Sequence, residues 1–217
     1  MAKSEQQRQK KLARKKAKDR QKKQQLVREK QQLVSLSGKM AAAASGRILN
    51  ARMAEPKSGL ATVLFARQAP NGHVAVVVFL VDTYCLGVKN VIAGYRSMTD
   101  YREMLEDLSE KHRLQERSPG TLRGFIEGAV AFAGRFGLPP HADYRKVSPI
   151  WGDVESEPTG DAFEFGRDGK PVYVPGPFDD DAMRLLVLSR LGEHLDVGDF
   201  EAAVVEVGGA DMLGESP

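Results

Sequence analysis

A single cysteine, Cys85, stands in 217 residues, so no internal disulfide is available and the chain must hold its fold by burial. A reducing interior such as the cytoplasm is the expected location. The first thirty residues contain no apolar stretch of the kind a secretory signal needs. The longest apolar run, Val74 to Val81, is eight residues, whereas a membrane-spanning helix needs about 20, so no membrane partner is expected. Glycine and proline do not occur before Gly38, and the same stretch has no aromatic residue. There is no Gly-rich phosphate loop, no Cys-x-x-Cys pair and no Gly-x-Ser-x-Gly elbow, which removes the motif-borne cases for nucleotide, zinc and serine-hydrolase chemistry.

What is present is a sharp division of charge. Residues 1–30 carry 13 Lys and Arg against Glu5, Asp19 and Glu29, a net +10. The rest of the chain carries 19 basic and 26 acidic residues, a net −7. Two parts so different in charge prefer different partners. The basic part is rich in Lys, Arg, Gln and Ala and has strong helix propensity. Its few apolar residues, among them Leu12, Leu26 and Leu33, are too sparse for a coiled-coil seam. Its cations lie on every face and no aromatic or leucine stripe is there to insert, so a polyanion suits it better than a membrane surface. Arg8, Lys10, Lys11, Arg14, Lys15, Lys16, Lys18, Arg20, Lys22 and Lys23 are the candidate phosphate contacts, with RNA, ribosomal RNA included, as the expected partner. The bland alternative is a solvated arm that aids solubility.

The divisions read from composition are a basic helical or disordered arm over 1–37, a link over 38–58, one globular domain over 59–207 and a disordered tail over 208–217. "LATVLFARQAPNGHVAVVVFLV" reads as a hairpin whose Asn71-Gly72 supplies positive φ, its second run being apolar on both faces like a central strand. Helical spacing follows over Thr99 to Arg113 and again from Pro119 to a stop at Gly137. Pro149 limits a short helix carrying Tyr144, Val147 and Trp151. A second hairpin is expected in "AFEFGRDGKPVYVPGP", with Phe163 and Phe165 facing Val172 and Val174 or Tyr173 across Asp168-Gly169. The helix after Asp179, Asp180 and Asp181 should bury Met183, Leu186, Leu188 and Leu191. "AAVVEV" is a candidate edge strand. The fold class expected is α+β: an antiparallel sheet built from two β-hairpins covered by helices and preceded by a long basic helix.

"FLVDTYCLGVKN" sets Cys85 between Asp82 and Lys89. A helix beginning at Asp82 would place all three on one face, where Lys89 could lower the thiol pKa for nucleophilic work. Against this, Asp82 caps that helix, Cys85 packs as a small hydrophobe and Lys89 meets water. His141, Asp143 and the 179–181 carboxylates could join Asp82 in an oxygen-rich site for Mg²⁺ or Mn²⁺, as a phosphodiester hydrolase or nuclease requires. Their spacing matches no metal motif, and aspartates before a helix serve equally as caps. No metal ligand and no cofactor is therefore assigned.

The blocks "FLVDTYCLGVKN", "GRFGLPPHADYR" and "FEFGRDGKPVYVPGPFDD", behind a Lys-rich amino-terminal segment, resemble those of a family of uncharacterised bacterial proteins, a conserved domain of unknown function. The resemblance spans roughly residues 60–190. It implies no activity and no functional residues. The function expected from the residues is a non-enzymatic RNA- or ribosome-associated protein, with a metal-dependent hydrolase and a protein-interaction module as alternatives.

Overall fold

The computed structural model describes residues 36–158, 162–176, 179–196 and 198–202; the basic arm, its expected helix and the tail lie outside these. Residues 36–43 form helix α1, and four antiparallel strands follow: β1 (Ile48–Lys57), β2 (Leu60–Gln68), β3 (Val74–Asp82) and β4 (Gly87–Arg96). Ser58 and Gly59, with φ of +50° and +80°, turn β1 into β2 in the manner of a type I′ hairpin. Gly72, at φ +83°, serves the β2–β3 turn, as the Asn71-Gly72 pair implies. Helix α2 (Met98–Lys111) follows, capped by Ser97, and the two-residue β5 (Gln115–Glu116) completes the sheet in the order β4-β3-β2-β1-β5.

The sheet is packed on both faces, more completely on one than on the other. One packs beneath α3 (Pro119–Gly134, capped by Ser118), α4 (Tyr144–Val147) and the 3-10 turn η1 (Ser148–Trp151). There Phe65, Val77, Phe79, Phe125, Ile126 and Trp151 form the main core, the Trp151 ring stacking on Phe79 at 6.1 Å. The other face meets α2 through Leu64, Ala66, Val74 and Val76, with Tyr101 buried against them. A two-stranded parallel pair, β6 (Val172–Tyr173) and β7 (Glu201–Ala202), and helix α5 (Asp181–His194) close the end of the molecule near Cys85. No helix among the described residues is long and apolar enough to cross a membrane.

The α+β class holds, with three corrections to its parts. Residues 48–57, read as link, are β1, a full member of the sheet. Strands β1–β4 form a meander of consecutive hairpins, and β5 adds to its β1 edge after α2. The expected second hairpin is reduced to one bridge, Arg167 with Lys170, because Phe163 and Phe165 stack on Phe125 of α3 while the Val172 amide bonds to the Tyr84 carbonyl. In α5 the buried side chains are Val187 and Leu191, and Met183, Leu186 and Leu188 are exposed.

Candidate functional site

The Asp82-to-Lys89 stretch is a strand-turn-strand. Asp82 ends β3 and pairs with Gly87 at the start of β4, so no helix begins there and the expected one-face alignment with Cys85 and Lys89 does not arise. The turn is held from within: the Asp82 Oδ1 accepts the amides of Tyr84 and Cys85, each at 2.9 Å. It is also held from outside, by the Thr83 amide donating to the Gly59 carbonyl and the Gly166 amide donating to that of Thr83. Gly87 has φ +65°, and a Cβ there would stand 2.9 Å from the Ala129 carbonyl, so only glycine lets the turn press against α3.

Cys85 is sealed. Its side chain has no exposure and lies among Phe132, Phe136, Tyr173 and Leu191. Burial, seconded by the Asp82 charge, pushes its thiol up to about 12, and Lys89 opposes this without prevailing. A thiol so protonated is no nucleophile. Burial likewise raises the Asp82 carboxyl above its ordinary range, despite the amides of the turn and the Lys89 charge.

Lys89 turns toward a residue ninety positions away. Its Nζ lies 3.0 Å from the Asp179 Oδ2, which also accepts the Gly176 amide at 2.8 Å and the Tyr173 hydroxyl at 3.2 Å. Burial alone would raise Asp179; the Gly176 amide and Lys89, with Tyr173, outweigh it and hold the carboxyl below its ordinary range. The Tyr173 hydroxyl is pushed up to about 12 by burial and by the adjoining carboxylate. Gly176 leaves the space: a Cβ there would meet the Lys89 Nζ at 2.7 Å. Spacing gave no sign of this cluster, since Lys89 is ninety positions from the 173–179 segment that supplies the other members.

The remaining candidates are engaged separately. The His141 amide donates to the Val88 carbonyl, and its Nδ1 accepts the Asp143 amide at 3.2 Å. Asp143 pairs with Lys146 at 2.7 Å. Asp180 caps α5 by accepting the Met183 amide, and Asp181 lies 3.5 Å from Arg184. Among the described residues no three His, Cys, Asp or Glu side chains gather closely enough to hold a metal ion. A cleft of about 240 Å³ does open beside Lys89 and His141, walled by Pro139, Pro140, Met183 and Leu186. It falls below the range of about 300 to 1,000 Å³ usual for small-molecule sites. The geometry thus brings Asp82, Cys85, Lys89 and Asp179 to one end of the sheet as a structural knot. The ten arm cations proposed to contact phosphate lie outside the described residues. No protein-family model, curated protein or solved structure matches the chain.

Proposed function

We propose that the protein acts in the cytoplasm as a non-enzymatic, RNA- or ribosome-associated factor, its basic arm supplying electrostatic affinity and its acidic α+β domain contacting a partner of its own. The observation that carries this reading is the charge division: 13 cations in the first 30 residues, set against a net −7 in the remainder. Phosphate neutralisation with counterion release gives such an arm affinity without base recognition. The domain adds consistent support, since Cys85 is sealed and the Asp82 and Asp179 carboxylates are committed to the fold.

Filter binding of the full chain to unrelated single-stranded RNAs at several salt concentrations tests it. With five to eight cations on phosphates, log K should fall with log salt by about 0.7 per contact. Removing residues 1–30 should abolish nearly all of that dependence. Replacing Lys10, Lys11, Lys15 and Lys16 with Gln should weaken every RNA by a similar factor. Undiminished, salt-independent binding by the truncated chain would overturn the arm reading, and RNA cleavage by it with Mg²⁺ would favour the hydrolase alternative.

A further inference from the structure

Helix α2 covers only part of its face of the sheet. It lies over Leu64, Ala66, Val74 and Val76 and stops at Lys111. The same face of β2 and β3 continues to Thr62, opposite Leu80, and to Leu60, which is 42% exposed. Over these residues lies a hollow of about 650 Å³. Its floor is aliphatic, from Leu60 and Leu80, with Thr62 between them. Its rim carries Lys57 from β1, Lys111 from the end of α2 and Arg113 just beyond it, all exposed and none in an ion pair among the described residues. The one carboxylate on the rim, Glu55, is already paired with Arg117.

We propose that this hollow docks a short peptide segment of a partner protein in which aliphatic side chains alternate with carboxylates. The aliphatic side chains seat on Leu60 and Leu80, and the carboxylates meet Lys57, Lys111 and Arg113. Two features favour this occupant over RNA. No Phe, Tyr or Trp lines the hollow and His112 is its one ring, so successive bases have no stacking platform. The exposed side of α2 beside it carries Asp100, Glu103, Glu106, Asp107 and Glu110 against Arg102, a net negative face that repels an extended polyanion but leaves a three-cation patch within reach of a short acidic one. This site uses no residue of the arm, so its failure leaves the RNA reading untouched, and the converse also holds.

The test is amide NMR on the isotopically labelled full chain, titrated with three probes: a twelve-residue peptide alternating Leu and Glu, its Leu-Lys counterpart, and a twelve-residue oligouridylate. The expected result is a set of saturable shifts at Leu60, Thr62, Leu80 and Lys111 to Gln115 with the Leu-Glu peptide alone. The triple variant Lys57→Glu, Lys111→Glu, Arg113→Glu retains the arm and should bind that peptide about tenfold more weakly, as loss of three exposed pairs implies. Leu60→Ser, at an exposed position, should weaken it through the floor without changing charge. No shift at the hollow, shifts confined to the arm, or equal shifts with oligouridylate would overturn the proposal. So would hollow signals that move with protein concentration, which assigns the face to a second copy, or on removal of residues 203–217, which assigns it to the chain's own segment.

Discussion

Lys89 and Asp179 form an ion pair, Nζ to Oδ2 at 3.0 Å, that ties β4 to the segment entering α5. The lysine side chain is 19% exposed and the aspartate 7%, so the carboxylate is the partner more dependent on the bond. With the Gly176 amide and the Tyr173 hydroxyl on the same oxygen, Asp179 organises the whole end of the molecule where Cys85 is enclosed.

Lys89→Met should therefore cost about 2 to 4 kcal/mol, because a buried carboxylate is left without its cation. Asp179→Asn should cost less, since Lys89 can still reach water. The acid response differs as well. The Asp179 carboxyl is held low in the folded protein, so its contribution is full above the ordinary carboxylate pKa and is lost as pH falls through the folded value. Urea unfolding of both proteins between pH 3 and pH 7 should show the gap between parent and Lys89→Met narrowing toward acid. A constant gap would mean that the pairing does not stabilise the carboxylate.

Asp82 behaves with the opposite sign. Its folded pKa is raised, so the charged form is disfavoured by folding and stability is lost as pH rises through that value. Asp82→Asn keeps an oxygen for the Tyr84 and Cys85 amides and removes the buried charge. It should hold or raise the urea midpoint at pH 7, by up to about 1 kcal/mol, whereas Asp82→Ala should lower it by about 1 to 3 kcal/mol through two unpaired amides. A marked loss in the Asn variant would show that the ionised carboxylate itself is needed.

Cys85 should be inert. With its thiol pushed up to about 12 inside an apolar cluster, labelling by a thiol reagent at pH 8 should proceed only through unfolding and should accelerate with urea. Cys85→Ser should cost about 1 to 3 kcal/mol by burying a hydroxyl that lacks a full set of partners. Rapid labelling of the native protein would contradict this packing.

The elements whose signals are local could be read in the sequence. The Asn71-Gly72 turn, the apolar run of β3 and the helices α2 and α3 each follow from residues within a few positions of one another. β1 escaped because it lies next to the edge: it pairs with β5 only at Arg52 and Met53, its other residues are mostly part-exposed, and Pro56 and a register shift break its alternation. Helix α5 carries leucines nearly all round, so periodicity selects no unique buried face, and Cys85, Tyr173 and Phe136 decide that Val187 and Leu191 turn inward. Asp82 was legible as a cap, though of a turn in place of a helix. The Lys89–Asp179 pair was illegible because ninety positions separate the two and each had a local reading of its own, Lys89 beside Cys85 and Asp179 before a helix.

Gly87 should tolerate no side chain. Alanine there combines an unfavourable positive φ with a Cβ 2.9 Å from the Ala129 carbonyl, so Gly87→Ala should cost about 1 to 3 kcal/mol. Gly72→Ala, also at positive φ but with nothing within 4 Å of its Cβ, isolates the backbone cost and should cost about 1 kcal/mol. Thermal unfolding of the two variants separates strain from collision, and equal losses would remove the close approach to α3 as a constraint.

Arg67 is the buried charge that fastens the start of the domain to its core. It sits on β2 at 3% exposure, where its Nη1 donates to the Gly46 carbonyl at 2.8 Å and its Nη2 to the Trp151 carbonyl at 2.8 Å and the Asp153 Oδ1 at 3.0 Å. Gly46 stands so close that a Cβ would be 1.7 Å from the Gln68 carbonyl oxygen, so the chain between α1 and β1 has one path past the guanidinium. Arg67→Met should cost about 2 to 4 kcal/mol, since two carbonyls lose a charged donor that methionine cannot replace. Arg67→Lys, a single-point donor without the planar fork, should recover only part of this. Asp153→Ala should leave the unfolding midpoint nearly unchanged, because that carboxylate side chain is 90% exposed and water replaces it. Urea denaturation of the three variants checks the order; a loss in Asp153→Ala equal to that in Arg67→Met would show that the exposed ion pair, and not the carbonyl bonds, holds Arg67 in place.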